Sequence, residues 1–308
     1  MRSDSSPPPL RVAPVWLHEA NISRGIDSVW VKELARESGL EVAAITGPQP
    51  FERLEACVHD RIDQGHYSGF DWYTRERASF SATPGNLHDG LRSIVSVGLP
   101  YYRADPELPD DGLLRGRISR YAWGADYHRV LKRRMGALLV RLEERAWRSI
   151  EARLLTDTAR IVDRAVAART GLGWYGKLSC VIVPGHSSWV MLGELLLDLD
   201  LEPDAPLDKN CGSCRACLDR CPTGAIVAPY QVDSNRCISF QTIEQRGVMP
   251  LELRANFRNW VFGCDECQEV CPYTSAARPI EDPDFQPATV ENAFPSLERL
   301  ATITSDEF

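Results

Sequence analysis

Eight of the ten cysteines fall between Cys211 and Cys271. The first run, Cys211-Gly-Ser-Cys214-Arg-Ala-Cys217-Leu-Asp-Arg-Cys221-Pro222, is a full match to C-x-x-C-x-x-C-x-x-x-C-P, a spacing that wraps thiolates around a [4Fe–4S] cubane. Cys237 follows, and then Cys264-Asp-Glu-Cys267-Gln-Glu-Val-Cys271-Pro272, a second copy that has lost one spacing and kept its terminal Cys-Pro. Two cubanes need eight thiolates, and eight are present.

Reach governs how they divide. Cys211, Cys214 and Cys217 share one tight loop that can take three corners of a cluster, whereas the chain turns into a short helix at Cys221-Pro222; in two-cluster ferredoxins that fourth cysteine ligates the other cluster. If the crossover is symmetric, Cys271 completes the first cluster and Cys221, Cys237, Cys264 and Cys267 hold the second, close enough to pass an electron. The competing chemistry is a pair of structural zinc sites. Four cysteines within eleven residues, two Cys-Pro endings and no histidine in the segment favour iron and sulfide. With no secretory pattern at the start of the sequence, closely spaced thiols also read as metal ligands rather than disulfides.

The elements that must position this chemistry alternate between helix and strand through about residue 204, which indicates an α+β fold. We expect an α/β domain over 14–204, a small ferredoxin-like two-cluster module over 205–275, and a tail over 276–308 packing back on both. Residues 1–13, with Pro7, Pro8 and Pro9, read as a disordered tail. Periodicity and punctuation predict helices over 27–38, 51–64 and 126–147, the last being the longest, and strands over 41–46, 93–99 and within 189–199. A strand-like piece ends at Asp157, followed by a helix over 159–169 that Gly171 caps. Residues 67–88 read as an irregular loop or lid. Gly171-Leu-Gly173-Trp-Tyr-Gly176-Lys177 precedes a strand over 180–183, and its glycines serve either a close backbone approach to a ligand or simple turns. Arg115, Arg117, Arg120, Arg129, Lys132, Arg133 and Arg134 concentrate positive charge before and within the long helix, as a solvated face or as a phosphate-contacting one.

The 308 residues carry a formal net charge of −8, which does not by itself suggest nucleic acid. No run approaches eighteen uninterrupted apolar residues, so no membrane span is expected. The chain reads as cytoplasmic and monomeric.

Trp123-Gly-Ala-Asp126-Tyr-His128, Thr156-Asp157-Thr158, Ala168-Arg-Thr-Gly171-Leu-Gly-Trp-Tyr-Gly-Lys177, Ser188-Trp-Val-Met-Leu-Gly193-Glu194 and Cys237-Ile-Ser-Phe-Gln-Thr-Ile-Glu244, in this order around the double cysteine motif, resemble the epoxyqueuosine reductases over about residues 15 to 275. The resemblance implies a cobalamin-dependent oxidoreductase with two [4Fe–4S] clusters that reduces epoxyqueuosine at the wobble position of tRNA to queuosine, drawing on an unidentified electron donor. It places the proton donor on Asp157, which as a residue type could also be a helix N-cap, and the cluster ligands on the eight cysteines with the same crossover. Burial beside a corrin face would keep Asp157 protonated. The implied corrin contacts are Arg77, Asp157, Gly173, Gly176, Lys177 and Ser239; Ser119 stands where some relatives carry a cysteine. Asp126, better read as a helix start, and His128 form a second acid pair. The basic run Arg115 to Arg134 is the candidate for tRNA backbone contacts, with Trp72, Tyr73 and Tyr121 able to stack on bases. Longer members carry a further helical repeat domain that this sequence does not reach, so tRNA would be held differently. The alternatives are another corrinoid iron–sulfur reductase of the reductive dehalogenase type, or a ferredoxin-type electron-transfer protein.

Overall fold

The computed structural model describes residues 27–304 and residue 307; the tail expected over 1–13 lies outside them. Helix α1 (Ser28–Glu37) begins at Asp27, whose carboxylate accepts the Val29 N–H at 2.9 Å, and ends before Gly39, at φ +77°. Helix α2 is Glu52–Asp63. A third helix, α3 (Arg75–Ser81), lies inside the stretch expected to be irregular. Its start is fixed by Thr74, which accepts the Arg77 N–H at 3.2 Å, and burial of Ala78 and Ser81 holds it down; an apolar stripe of that length is too short to register as a period. The long helix α4 (Tyr127–Ala146) buries Val130, Leu131, Met135, Leu138 and Leu142, the stripe its periodicity marks. Helix α5 spans only Asp163–Arg169, shorter than the expected 159–169, because residues 157–160 form a turn.

Among the described residues seven strands precede Cys211: β1 (Val42–Thr46), β2 (Ser93–Pro100), β3 (Arg117–Ile118), β4 (Ala152–Leu155), β5 (Trp174–Tyr175), β6 (Val181–Ile182) and β7 (Val190–Leu197). Four of them make an antiparallel sheet in the order β1-β2-β7-β4. Side chains alternate across it. Ile45, Val95, Val97, Met191, Leu195 and Leu197 pack on α1 and α4, while Ala44, Ile94, Leu192 and Leu196 face Val166 and Ala167 of α5 and their neighbours.

The cysteine segment supplies α6 (Ala216–Arg220), α7 (Ile238–Ile243) and three short strands, of which Trp260–Phe262 pairs parallel with β3. That pairing ties the cysteine segment to the sheet-bearing part of the chain. The C-terminal stretch joins the same core: Ala277 and Phe285 are buried with Met135 and Leu138, and Ser296 bridges to Arg115. Among the described residues no helix is long and apolar enough to cross a membrane.

Gly171 sits at φ +74°, and a Cβ there would run into the Ala205 carbonyl oxygen. We expect Gly171→Ala to lose about 2 kcal/mol or more of stability in a denaturant titration, since a left-handed backbone and a backbone clash combine.

Candidate cluster sites and active site

The eight cysteines stand as free thiols in two groups. For Cys217, Cys237, Cys264, Cys267 and Cys271 burial is the largest influence and pushes the thiol up, Cys217 to about 11. Their neighbours come next. Cys217 feels Cys211 and Cys271, and Cys271 feels Cys211 and Cys214. Separately, Cys237 feels Cys221, Cys264 feels Cys237, and Cys267 feels Cys237, Cys264 and Cys221. A cavity of about 150 Å³ is lined by Cys211, Cys214, Cys217 and Cys271 together with Lys177, Leu178, Pro272 and Tyr273. That cradle fits a cubane held by these four thiolates. Among the described residues no three of His, Cys, Asp and Glu stand close enough to share one metal ion.

Polar hydrogens are already aimed at the sulfurs. Cys221 Sγ accepts the Ala225 N–H at 3.2 Å; Cys237 accepts from the N–H groups of Phe240 and Ser239 and from the Ser239 hydroxyl; Cys271 accepts from Tyr273 N–H and the Ser187 hydroxyl. Such donors favour thiolate over thiol and help set a cluster's potential. The loop between Cys264 and Cys267 is anchored by Asp265, fully buried, which accepts the Ser119 hydroxyl, the Arg120 N–H at 2.9 Å and Arg120 Nη1 at 3.2 Å. The Ser119 hydroxyl is thereby committed to Asp265.

Asp157 follows the end of β4 by two residues. Its side chain caps no helix: α5 begins six residues later behind Val162. Instead one carboxylate oxygen accepts the Tyr127 hydroxyl and the other faces His128 Nε2 at 2.7 Å, while His128 Nδ1 faces Asp126 Oδ1 at the same distance. Asp126 is the N-cap of α4, accepting the His128 N–H at 2.9 Å. Tyr127 is pushed up by burial and by its bond to Asp157, so it stays a phenol and donates. Asp157 is half-exposed in this structure rather than buried.

The remaining sequence candidates divide. Arg77 stacks 4.5 Å over the Trp72 ring and reaches the Ala159 carbonyl at 3.5 Å, which brings it beside the Asp157 turn. Lys177 Nζ donates to the carbonyls of Gly212 at 2.5 Å and Cys214 at 2.8 Å, so it clamps the first cysteine loop. Gly173 and Gly176 serve close packing: a Cβ on Gly173 would meet Val181 at 2.5 Å and the Ile182 carbonyl at 2.6 Å, and one on Gly176 would meet Ile182 at 2.9 Å. The basic run is largely spent inside the molecule. Arg115 pairs with Asp111 and Glu291, Arg117 with Glu269, Arg120 with Asp105, Asp265 and Glu269, and Arg133 and Arg134 with Asp284. Arg115, Arg117, Arg120 and Arg134 are therefore an internal brace for the C-terminal and cysteine segments, while Arg129, Lys132 and Arg133 remain exposed. Trp72 is half-exposed, whereas Tyr73 and Tyr121 are partly buried against other aromatic rings.

Two acids were given no role by the sequence reading. Asp163 opens α5, and desolvation there pushes it up to about 6, with Arg164 pulling down and Asp157 pushing up. Glu194 is fully buried in β7. The available signal was a lone acid in the apolar strand Val190–Leu197.

An antiparallel α+β sheet tied to a double cysteine cage defines an iron–sulfur protein with two cluster sites and an acid-bearing turn beside them. Residues 210–274 match the model for a 4Fe-4S double cluster binding domain, and residues 82–158 match that of epoxyqueuosine reductase QueG, DUF1730. The epoxyqueuosine reductase of Xanthomonas campestris pv. campestris is 38% identical over 83% of this chain and 72% of its own length, and that of Synechocystis sp. is 43% identical over 72% and 76%. Among solved structures, epoxyqueuosine reductase with a tRNA-Tyr epoxyqueuosine-modified tRNA stem loop superposes with a TM-score of 0.82 at 34% identity, covering 91% of this chain and 73% of that one. The Streptococcus thermophilus enzyme gives 0.83 at 31% identity over 91% and 73%. The chain belongs to the epoxyqueuosine reductase family.

Proposed function

We propose that this chain reduces epoxyqueuosine at the wobble position of tRNA to queuosine, with electrons passing through two [4Fe–4S] clusters to a bound cobalamin and Asp157 protonating the departing oxygen. The observation that carries this reading is the half-exposed Asp157 carboxyl held by Tyr127 and His128 in a chain that also gathers eight cysteines into two groups. Cys211, Cys214, Cys217 and Cys271 hold one cluster, and Cys221, Cys237, Cys264 and Cys267 the other. The relative solved with a modified tRNA stem loop supports tRNA as the substrate carrier.

The corrin reading rests on the polar and aromatic side chains that gather toward the Asp157 turn, with Tyr127 and His128 on its carboxyl, Arg77 at the Ala159 carbonyl and Tyr121 within its field. Arg77 and the phenols of Tyr73 and Tyr121 can donate to corrin amide groups, and Ser239 stands beside the cluster ligand Cys237. When bound, cobalamin supplies delivery of electrons to an epoxide carbon. This chain's residues supply the rest. Tyr127 and His128 fix the direction of the Asp157 carboxyl, and Asp157 delivers a proton to oxygen as the C–O bond breaks. Trp72, half-exposed above Arg77, offers a stacking face for an unpaired base. Cluster-loaded protein, given cobalamin, a low-potential reductant and tRNA bearing epoxyqueuosine, is expected to yield queuosine in nucleoside mass spectrometry; unchanged epoxyqueuosine with both clusters and corrin bound refutes the assignment.

A further inference from the structure

Turning an epoxide into an alkene and water breaks two C–O bonds, forms one C=C bond, and consumes two electrons and two protons, both protons ending on the oxygen. A low-potential one-electron donor supplies the electrons through the clusters. A single aspartic acid holds one proton, so a second must arrive while the substrate is in place.

Behind Asp157 the sheet carries a polar row in otherwise apolar surroundings. Glu194 of β7 pairs in register with Ser96 of β2 on one side and with Leu155 of β4, two residues before Asp157, on the other. Glu194 and Ser96 are both fully buried, and both Glu194 carboxyl oxygens and the Ser96 hydroxyl lack a hydrogen-bond partner. They lie on the sheet face that α5 covers, where Leu192 and Leu196 flank Glu194. The charged groups that bear on Glu194 are Asp163, from the start of α5, and Asp157. An ionised carboxylate with no donor and two acidic neighbours is costly there, and the neutral acid much less so. Burial accordingly pushes Glu194 well up, with Asp163 and Asp157 adding to it.

We propose that Glu194 stores the second proton and passes it by way of Asp163 to Asp157 after Asp157 has given up its own. Glu194 is thus a positioning residue for proton supply, and the inference rests on the reading of Asp157 as donor. Glu194→Gln keeps the shape of the neutral acid but has no proton to give; Glu194→Asp keeps an acid.

In single-turnover reduction by cluster- and cobalamin-loaded protein, Glu194→Gln is expected to slow about tenfold at pH 8. The deficit should shrink below about pH 6, where Asp163 is itself protonated, and Glu194→Asp should restore most of the rate. Independently of activity, the infrared spectrum of the cluster-loaded wild type should show the carbonyl stretch of a protonated carboxyl at pH 7.5, absent from Glu194→Gln. If that variant does not fold, Glu194→Asp, which should keep the band at a shifted frequency, decides in its place. Loss of the band in the wild type, a Glu194→Gln rate equal to wild type at pH 8, or a deficit of equal size at every pH overturns the proposal. An inactive Asp157→Asn beside an unimpaired Glu194→Gln removes this inference alone, whereas an active Asp157→Asn removes the donor reading with it.

Discussion

Asp157→Asn is expected to keep both clusters and its fold while losing about 10²- to 10⁴-fold in turnover, the range a positioned general acid contributes. Asparagine can accept the Tyr127 hydroxyl through its carbonyl oxygen and donate its amide N–H to His128 Nε2, so the turn after β4 should hold its shape; what goes is the proton. Because Asp157 caps no helix, a large stability change is not expected. Nucleoside mass spectrometry over a time course, with cluster absorbance and a thermal melt on the same sample, separates the two effects. An Asp157→Asn variant that turns over at the wild-type rate removes the donor assignment.

Cys271→Ser is expected to remove the cluster associated with Cys211, Cys214 and Cys217, although Cys271 lies fifty-four residues beyond the last of them and only four beyond Cys267. Iron should fall from about eight to about four atoms per chain, and reductive turnover should fall to background, since a break in an electron path is not made up by its remaining part. The electron paramagnetic resonance spectrum of the reduced Cys271→Ser protein should match that of Cys217→Ser and differ from that of Cys264→Ser. The physical basis is the grouping of the thiols: Cys271 feels Cys211 and Cys214, while Cys267 feels Cys237, Cys264 and Cys221. A Cys271→Ser spectrum matching Cys264→Ser instead would mean that each motif fills its own cluster, and the crossover would be wrong.

The cysteine motifs, the long amphipathic helix and the principal strands were legible in the chain because each rests on local spacing: a thiolate cage needs close cysteines, a buried helix face needs a 3.6 period, and both are written in consecutive residues. Short elements held by a few buried contacts were not. The helix at Arg75–Ser81 and the turn ahead of α5 meet each other in space, Arg77 reaching the Ala159 carbonyl and Arg160 lying over the Phe80 ring.

The site divides along the same line. Asp157 could be named from its motif, but whether it capped a helix or pointed elsewhere depended on where α5 begins and on Tyr127 and His128 arriving from another element. The arginines of 115–134 looked like a basic face because charge can be counted along a chain, whereas their partners at Asp265, Glu269, Asp284 and Glu291 come from segments more than a hundred residues away. Residue type and spacing determined which chemistry this chain can perform. Only the tertiary structure decided which arginines are spent, which glycines merely pack and which acid is buried without a partner, because burial and pairing belong to residues that meet in space and not in order along the backbone.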